Sequence, residues 1–552
     1  MIKDIVIAGG GFAGYMTALC VHDTYSKYYS GKEFNLTVIE SSKLGTIGVG
    51  ESTAQNIPRL LALLGIDVYQ FMKESNATFK LSARFDNWNY EGEKYHHPLV
   101  PLGRLVDFNL KTNRLHKPVV FDPYLEIGID IVYFQAKGID WAKLCLDNLI
   151  EDNKVPFRKT KEAGRPYQVI GTSDLIDQNT RAGADANIDL IEQTMGFHMD
   201  ANLSVKYLQK MCKARGIKII DGKIADWKLD SDTGHLKEVT TDQGDKIPGD
   251  FFFDCTGFRR LIIGEIFKEK WIDWSHQIPQ NSVSLIDGGV KYKEGEHPPV
   301  YTKLDAQKHG WMFKIPLTSR IGSGYVYSDK FVDKETIHKE QIEHWNAQGY
   351  DVEIGNQLSW SAGKYERSLV KNCLAVGLSD GFVEPLDGNA LILSMQLLQN
   401  FLPMFDRNML FDSIDYKDYN ERALDAYEHT KNYIYFAHLQ RRKDSEYWKF
   451  FKDDKNIPQW LKEKIWLWAH RPPRGFEELS LNHRPFGIGS FCTIGQKSGL
   501  SGVHVSKRDM EDFDFDNEGD QIYKGIQDLK KRIYDISVDH KDMLEWIQFS
   551  KN

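Results

Sequence analysis

The feature that most constrains the fold is a glycine-rich turn near the start of the chain. The pattern GxGxxG is matched by Gly9-Gly10-Gly11-Phe12-Ala13-Gly14, between an apolar run at 5–8 and a helical pattern after it. Such a turn lets backbone N–H groups reach a pyrophosphate at the positive end of a helix. A second strand pattern at 36–39 ends at Glu40, whose carboxylate can accept hydrogen bonds from a ribose diol. The order strand, turn, helix, strand predicts a dinucleotide site, and the alternative is a turn whose glycines serve packing alone.

The composition excludes several classes of protein. The 552 residues are 41% hydrophobic and 27% charged, as in an ordinary globular enzyme, and the formal charge of −8 gives no basic footprint for nucleic acid or an anionic membrane. No apolar run approaches the roughly 18 residues that span a bilayer, and no signal peptide is evident. The 6 cysteines are scattered without a CxxC pair. We therefore expect a cytoplasmic protein with no disulfide scaffold and no metal.

Two distant segments favour FAD over NAD as the nucleotide. Residues 253–257 and 373–381 each run from a strand into a turn of small residues, and they contribute Asp254, Gly257, Gly377 and Asp380. Flavoproteins of the hydroxybenzoate-hydroxylase type have similar segments that close over the flavin, although either segment could be an ordinary strand-end turn. No second GxGxxG is evident for a nicotinamide. We therefore expect the reduced flavin to come from another protein.

The remaining patterns predict an α/β fold, with a three-layer FAD-binding module like that of flavoprotein monooxygenases, an inserted sheet and a helical substrate-binding part. Helical patterns lie at 52–72, 202–215, 415–470 and 520–548, strand patterns at 217–220 and 250–254, and 85–185 is rich in loops. We expect one composite unit over 1–450, with FAD segments near 1–55, 195–260 and 365–395 and substrate-facing insertions near 80–190 and 265–365. Residues 415–552 are expected to form a mostly helical region that covers the substrate.

Three further motifs follow the nucleotide turn. They are Gly48-Val49-Gly50-Glu51-Ser52-Thr53, Asn76-Ala77-Thr78-Phe79-Lys80 and Gly310-Trp311-Met312-Phe313-Lys314-Ile315-Pro316. Together they resemble the GVGEAT, N-A-S/T-x-K and W-x-W-x-I-P segments of flavin-dependent tryptophan halogenases, with Phe313 at the second Trp. Residues 198–201, 254–259 and 322–328 also match, so the resemblance covers roughly residues 3–450.

The resemblance implies an oxidoreductase that uses reduced FAD, O2 and chloride, bromide or iodide to halogenate an electron-rich aromatic compound. It places Lys80 at the family's catalytic lysine, whose ammonium group holds hypohalous acid, or is halogenated by it, next to the substrate ring. Trp311, Phe313 and Pro316 form the wall between flavin and substrate, with core packing as the alternative for each. Gly50 and Glu51, with Gly48 and Val49, belong to the cofactor site. A separate NAD(P)H-dependent flavin reductase is implied, and we expect a homo-oligomer.

One segment departs from the family. Where the family has Glu-Pro-Leu-Glu-Ser-Thr-Gly, this chain has Glu384-Pro385-Leu386-Asp387-Gly388-Asn389-Ala390, with Glu384 and Pro385 in the tunnel. By resemblance, Asp387 takes the place of the glutamate that deprotonates or supports the cationic ring intermediate, and its shorter side chain matters for positioned catalysis. The backbone amides of Asn389 and Ala390 take the halide. Because the shorter acid and the lost serine leave room, we expect bromide or iodide to be preferred over chloride.

The substrate region departs as well. Residues 444–448 resemble the D-T-x-F-W segment that sandwiches tryptophan, and Tyr447 and Trp448 keep its aromatic rings. Lys443 stands where tryptophan-specific members hold a glutamate for the substrate ammonium group. His97-Pro98-Leu99 resembles an H-P-F segment that has lost its ring at Leu99. We therefore expect an indole, a phenol or a related arene rather than free tryptophan.

Two other functions fit parts of the pattern. An aromatic flavin monooxygenase shares the FAD module, and it predicts NAD(P)H oxidation by this protein alone with an oxygenated product. A flavin-binding protein that lost halogenation through the altered Asp387 segment predicts bound FAD and no halogenated product. The combination of Lys80 with the 311–316 motif favours the halogenase over both.

Overall fold

A computed structural model gives the fold for residues 2–28, 34–43, 50–99, 136–161, 166–170, 195–404, 413–470, 483–500, 507 and 516–550. Its helices are α1 (Phe12–Tyr28), α2 (Asn56–Leu63), α3 (Val68–Glu74), α4 (Asp147–Glu151), α5 (Ala201–Ala214), α6 (Lys334–Asn346), α7 (Asn389–Phe401), α8 (Ser413–His438), α9 (Glu446–Phe450), α10 (Gln459–His470), α11 (Ile488–Ser498), α12 (Asp516–Ile536) and α13 (His540–Phe549). Single turns lie at Trp141–Leu144, Gly257–Arg259, Leu261–Ile266, Gly377–Ser379 and Leu386–Gly388.

The strands are β1 (Asp4–Ala8), β2 (Asn35–Glu40), β3 (Glu51–Ser52), β4 (Thr78–Lys80), β5 (Ser82–Asp86), β6 (Lys94–Pro98), β7 (Lys154–Val155), β8 (Phe157–Lys159), β9 (Tyr167–Val169), β10 (Gly196–Met199), β11 (Lys218–Asp221), β12 (Ile224–Leu229), β13 (Leu236–Thr241), β14 (Lys246–Pro248), β15 (Phe251–Asp254), β16 (Trp271–Asp273), β17 (Ser282–Ile286), β18 (Tyr301–Gln307), β19 (Gly310–Pro316), β20 (Ile321–Tyr327), β21 (Ile354–Ser359), β22 (Gly363–Tyr365), β23 (Leu369–Val370), β24 (Cys373–Ala375), β25 (Gly381–Phe382) and β26 (Val538–Asp539).

The nucleotide end of the molecule is a six-stranded sheet in the order β11-β2-β1-β15-β24-β23, parallel except for the edge strand β23. Its central strands are apolar on both faces, as strands covered from both sides must be, and Ile7 of β1 pairs with Phe253 of β15 in the fully buried middle. α1 packs across the sheet through the buried side chains of Tyr15, Met16 and Leu19. The predicted βαβ unit is confirmed, and the strand predicted at 217–220 forms one edge of the sheet.

A second, seven-stranded sheet has the order β21-β17-β20-β19-β18-β5-β6. Its strands are antiparallel except for β5, which runs parallel to β18. Strands from two predicted insertions thus join in one sheet, which confirms the inserted sheet of the predicted fold. Residues 100–135 and 171–185, within the stretch predicted to be rich in loops, lie outside the described residues.

The helix predicted over 52–72 is two helices. α2 stops before Gly65, which has φ +67°, a left-handed conformation that suits glycine. The Asp67 side chain then caps α3 by accepting hydrogen bonds from the backbone N–H groups of Tyr69 and Gln70. In the part of the chain that the structure describes, no helix is long and apolar enough to cross a membrane.

The C-terminal helix α13 packs behind β4. The His540 Nδ1–H group donates to the Pro298 carbonyl oxygen at 3.0 Å, and His540 Nε2 accepts from the Phe79 backbone N–H at 3.3 Å. Burial lowers the pKa of His540 to about 4, so the ring is neutral, as these two bonds require. Residues 415–552 were expected to cover the substrate. The C-terminal end of this region supports β4, the strand that carries Lys80.

Candidate active site

The glycine turn between β1 and α1 has the shape that a phosphate group needs. Gly9 has φ +117°, and a Cβ atom there would lie 2.1 Å from the Cys255 carbonyl oxygen. A Cβ atom on Gly14 would lie 1.9 Å from the Gly9 carbonyl oxygen, whereas one on Gly11 would meet nothing within 4 Å. The first and third glycines are therefore required by backbone packing, and the middle one leaves a free face at the start of α1.

Glu40 ends β2 beside this turn, as predicted. Its carboxylate accepts hydrogen bonds from Tyr15 Oη at 2.6 Å and from Gln209 Nε2 at 2.5 Å. Burial, with Glu40 adding to it, raises the pKa of Tyr15 well above its usual range, so the hydroxyl remains a donor. A carboxylate has about four acceptor positions, so these two bonds orient Glu40 and leave capacity for a ribose diol. The sequence patterns did not identify Tyr15 and Gln209.

The turn after β24 meets the glycine turn. Gly377 has φ +73°, and a Cβ atom there would lie 3.2 Å from the Ala13 Cβ. Gly257, at the end of the β15 segment, has φ +65° and open space around the position of a Cβ atom. The side chain of Phe12 is buried at the start of α1. The structure thus brings the three predicted FAD segments together at the carboxyl ends of parallel strands.

The acidic residues of these segments have structural partners. Asp254 Oδ1 accepts from the Thr256 N–H and hydroxyl groups, and Asp254 Oδ2 accepts from the backbone N–H groups of Ile262 and Ile263. Asp254 therefore holds its own turn together, and its predicted flavin contact gains no support.

Asp380 also bonds within the protein. Asp380 Oδ2 accepts from Ser368 Oγ at 2.9 Å, and its Oδ1 lies 3.5 Å from Lys364 Nζ.

Of the GVGE motif, Gly48 and Val49 lie outside the described residues, and Gly50 packs near Ile315. Burial raises the pKa of Glu51 to about 7.

Lys80 and Asp387 meet in the interior. Lys80 ends β4 and is fully buried, and its Nζ lies 3.9 Å from Asp387 Oδ1. Neither atom has a hydrogen-bond partner among the described residues. Burial lowers the pKa of Lys80, and the nearby Asp387 offsets this only in part. An ammonium group and a carboxylate oxygen that face each other without hydrogen bonds can both bind a small polar reactant.

The second oxygen of Asp387 is held firmly. Asp387 Oδ2 accepts a hydrogen bond from His97 Nδ1 and another from Tyr433 Oη at 3.2 Å. His97 Nε2 in turn lies 3.0 Å from Ser490 Oγ. Burial alone would raise the pKa of Asp387, but His97, Lys80 and Tyr433 outweigh it and hold the pKa below its usual value. Both ring nitrogens of His97, predicted to contact the substrate, are therefore engaged by protein groups.

The predicted halide segment begins α7, but its geometry differs from the expectation. Gly388 has φ +71°, and a Cβ atom there would lie 2.2 Å from the Ser52 carbonyl oxygen. The room expected from the lost serine is thus already filled by backbone. The Asn389 backbone N–H donates to the Leu386 carbonyl, which removes one of the two predicted halide donors. The backbone N–H group of Ala390 lies in the first turn of α7, where N–H groups attract anions.

The predicted wall residues lie on β19. Trp311 is fully buried, and its Nε1–H donates to Glu384 Oε2 at 3.2 Å. Burial raises the pKa of Glu384 to about 8, and the bond from Trp311 offsets this only in part. Pro316 accepts from Thr78 Oγ1 at 2.6 Å through its carbonyl oxygen, and Phe313 packs edge-on against Trp311. Trp311 and Pro316 thus connect the Glu384 segment and β4 to one strand.

Tyr447 and Trp448 are fully buried in an aromatic cluster, which we define as Trp88, Trp311, His438, Tyr447 and Trp448. Gln280 Nε2 is 2.9 Å from both Tyr447 Oη and His438 Nε2. Lys443 is exposed, so its charge lies outside this buried cluster, and its part in substrate choice stays a prediction. Leu99 is half-buried and continues the β5–β6 pairing through a bond to the Leu81 carbonyl.

Comparison with known proteins identifies the family. The tryptophan halogenase family model matches residues 4–114 and 169–498. The chain belongs to the tryptophan halogenase family. It is 28% identical over 477 residues to a tryptophan 6-halogenase of Streptomyces toxytricini, which is 85% of this chain and 84% of that protein. A flavin-dependent halogenase from Xanthomonas campestris has a TM-score of 0.75 at 25% identity, with 99% of this chain and 98% of that one covered.

The same fold occurs in a tryptophan halogenase structure from Shewanella frigidimarina, with a TM-score of 0.80, 22% identity and coverage of 99% and 98%. The protein is thus a flavin-dependent halogenase, and the predicted enzyme class is confirmed. In this halogenase the residues that would hold FAD are the glycine turn, Glu40 and the turns at Gly257 and Gly377. Tyr433 and Ser490 carried no motif, and only their contacts in the fold reveal them.

Proposed function

We propose that this halogenase uses reduced FAD, O2 and a halide to halogenate an electron-rich aromatic ring beside Lys80 and Asp387. The observation that carries the proposal is the buried pair itself, in which Lys80 Nζ and Asp387 Oδ1 lie 3.9 Å apart without other bonds. The bound flavin, with O2, supplies the oxidation that turns halide into hypohalous acid. Lys80 holds this acid by a hydrogen bond to its oxygen, or is halogenated by it, and so directs it to one ring carbon. As the carbon–halogen bond forms, the bond from halogen to oxygen breaks, and the hydroxide takes a proton from the Lys80 ammonium group and leaves as water; where Lys80 itself carries the halogen, this water leaves first and the nitrogen–halogen bond breaks instead.

Asp387 acts on the cationic ring that follows. The C–H bond at the halogenated carbon breaks, its electron pair returns to the ring, and Asp387 Oδ1 takes the proton. The low pKa of Asp387 keeps the carboxylate ionised and able to accept. A fixed negative charge within a buried site also stabilises the positive ring before the proton leaves.

The substrate class we propose is indoles, phenols and related arenes. The relatives named above from Streptomyces toxytricini and Shewanella frigidimarina are, by their names, tryptophan halogenases, so an indole ring fits this class. The buried rings of the aromatic cluster support a flat substrate nearby. The proposal that free tryptophan is disfavoured now rests only on the missing glutamate at the Lys443 position, because Lys443 itself is exposed.

We also propose that bromide or iodide is preferred over chloride. Two observations support this. The Asp387 side chain is one methylene shorter than a glutamate, and the Asn389 amide is already used by Leu386. Chloride is the most strongly hydrated of the three anions and needs the fullest set of donors to replace its water.

The test is an arene panel with purified protein, FAD, a flavin reductase, NADH and each halide, with products identified by mass spectrometry. Halogenated arenes are expected only when the reductase is present, since the sequence contains one nucleotide fingerprint. Rapid bleaching of bound FAD by NADH without the reductase, together with an oxygenated product, would favour a flavin monooxygenase. Bound FAD with no halogenated arene under any condition would favour a flavin-binding protein that has lost the chemistry.

A further inference from the structure

His97 occupies a position that the substrate role predicted for it does not explain. Its two ring nitrogens connect Asp387 Oδ2 on one side with Ser490 Oγ on the other, and Tyr433 Oη lies 3.2 Å from both His97 Nδ1 and Asp387 Oδ2. These four side chains come from the end of β6, the turn before α7, the C-terminal part of α8 and the start of α11. The fold therefore assembles this network from distant parts of the chain.

We propose that His97 is a positioning residue for Asp387, which orients the carboxylate and keeps it ionised so that Oδ1 alone faces the reacting ring. The inference rests on the proposed role of Asp387 as the base. It assigns Tyr433 and Ser490 the supporting role of fixing His97 and the second carboxylate oxygen.

The two carboxylate oxygens of Asp387 differ in their hydrogen-bond partners, and this difference supports the proposal. Oδ2 accepts from His97 and Tyr433, whereas Oδ1 has no partner among the described residues and faces Lys80 Nζ. Bonds to one oxygen fix the rotation of the carboxylate plane. The other oxygen is thereby aimed at the space beside Lys80, and a fixed direction of this kind is what positioned proton transfer requires.

The partners of His97 place a proton on its Nδ1 atom. An ionised carboxylate is an acceptor only, so His97 Nδ1 must carry the proton that it donates to Asp387 Oδ2. Ser490 Oγ lies 3.0 Å from Nε2, and a hydroxyl group can either donate to this atom or accept from it. Ser490 thus acts on Asp387 only through His97, and its loss should have the smaller effect.

The groups around Asp387 agree with this electrostatic role. They are Lys80 on β4, His97 and Tyr95 on β6, and Tyr433 on α8. His97 favours the ionised carboxylate through both charge and a hydrogen bond, Lys80 favours it through its charge, and Tyr433 favours it through a hydrogen bond. The Tyr95 and Tyr433 hydroxyls remain protonated, because burial raises their pKa values well above the usual range. Losing the His97 donor should therefore raise the pKa of Asp387 and reduce the ionised fraction at low pH.

The experiment compares two substitutions in the full-length holoenzyme. In His97→Asn an amide nitrogen can replace Nδ1 as donor, whereas His97→Leu removes the donor at similar volume. We expect kcat in His97→Leu to fall about tenfold or more at pH 6. The acidic limb of its pH profile should move to higher pH, so that the loss is smaller at pH 8.5. His97→Asn should retain most of the wild-type profile, and Ser490→Ala should lie between the two.

The matched control is His96→Leu. His96 neighbours His97 on β6 but is bonded to Ser82 Oγ at 2.8 Å, and burial lowers its pKa to about 4, so a neutral ring is replaced. It should leave the pH profile of halogenation unchanged. FAD binding and thermal melting are measured for every variant, so that misfolding is recognised.

The outcomes separate the two proposals. If Asp387→Asn halogenates like the wild type, the proposed base is wrong and the role of His97 falls with it. If Asp387→Asn is inactive but folded His97→Leu keeps the wild-type pH profile, only the positioning role is overturned. An equal loss at every pH in both His97 variants would also overturn it, because that result indicates a packing role without control of Asp387 ionisation.

Discussion

The Lys80 ammonium nitrogen lies 3.9 Å from Asp387 Oδ1 in the protein interior, and neither atom bonds to another described residue. Such an arrangement is costly for folding, because charged groups lose their water and gain no hydrogen bonds in return. The sheet, the C-terminal helix and the His97 network nevertheless hold both groups in place. The chemistry proposed for the pair, rather than stability, accounts for their placement.

The first prediction concerns Lys80→Met. Halogenation should fall by about a hundredfold or more, since positioned acid–base and electrostatic groups contribute on this scale. FAD binding should survive, because the residues that would hold FAD lie on other strands. The melting temperature should fall, since Lys80→Met removes the cation beside Asp387 and leaves that buried carboxylate without its charge partner.

The matched control for that change is Lys314→Met. Lys314 is also largely buried, but it lies on the face of β19 opposite to Trp311, over the ring of Trp345. Burial lowers the pKa of Lys314 to about 7. Its replacement should leave halogenation nearly unchanged. The predicted role of Lys80 is wrong if both variants lose activity to the same degree, measured as product per bound FAD.

The sequence was sufficient to predict those parts of the fold that local rules determine. The glycine turn and the βαβ unit follow from a motif whose spacing reflects backbone geometry, whereas Lys80 beside the Asp387 segment follows from the resemblance to the family. His97, Tyr433 and Ser490 could not be connected in this way, because they meet only through long-range packing of β6, α8 and α11. The exposure of Lys443 and the crowding at Gly388 also depend on tertiary neighbours, and the room expected at Gly388 was wrong because the Ser52 backbone fills it.

The second prediction concerns pH and Glu384. Burial raises its pKa to about 8, so the folded protein keeps this carboxyl protonated while the unfolded chain ionises it near its ordinary value of 4.5. A carboxyl group whose pKa is higher in the folded protein than in the unfolded chain favours folding at low pH. This contribution to the free energy of unfolding is complete below the pKa of the unfolded chain and is lost as pH rises through about 8. At about 1.4 kcal/mol per pKa unit, the loss between pH 5 and pH 8.5 amounts to several kcal/mol at most.

Glu384→Gln should remove this dependence, because glutamine does not titrate and its amide can still accept from Trp311. The measurement is the free energy of unfolding by denaturant at pH 5, 7 and 8.5. The variant should gain on the wild type as pH rises. A constant difference between the two proteins at all three values contradicts the assignment.

The third prediction concerns Lys443. Because its side chain is exposed, solvent and salt screen its charge from any buried substrate. Lys443→Glu should therefore change the ratio of kcat/KM for tryptophan over indole by less than about threefold, in line with the small worth of exposed charges. An increase of tenfold or more in favour of tryptophan would show that this position does reach the substrate.

The fourth prediction concerns Gly388→Ser, which restores the family residue. The position has φ +71°, and the new Cβ atom would collide with the Ser52 carbonyl oxygen at 2.2 Å. We expect a loss of roughly 1–3 kcal/mol in the free energy of unfolding from backbone strain alone, with the clash adding to it. Gly295→Ser is the control, since it has φ +80° but open space, and should cost less.

The fifth prediction concerns the halide. With one activated arene and equal concentrations of chloride, bromide and iodide, the wild type should give more brominated or iodinated than chlorinated product. Heavier halides are easier to oxidise in any case, so the ratio is compared with that of a chlorinating relative under the same conditions.

In Asp387→Glu the longer side chain brings the carboxylate about one methylene, roughly 1.5 Å, closer to Lys80 and the start of α7. Less space then remains for a large anion beside the Ala390 amide, so the chlorinated share should rise several-fold even if total activity falls. Asp333→Glu, a change at the exposed cap of α6, controls for the added methylene. Chloride as the best halide of the wild type, or an unchanged halide order in Asp387→Glu, would show that this segment does not select the halide.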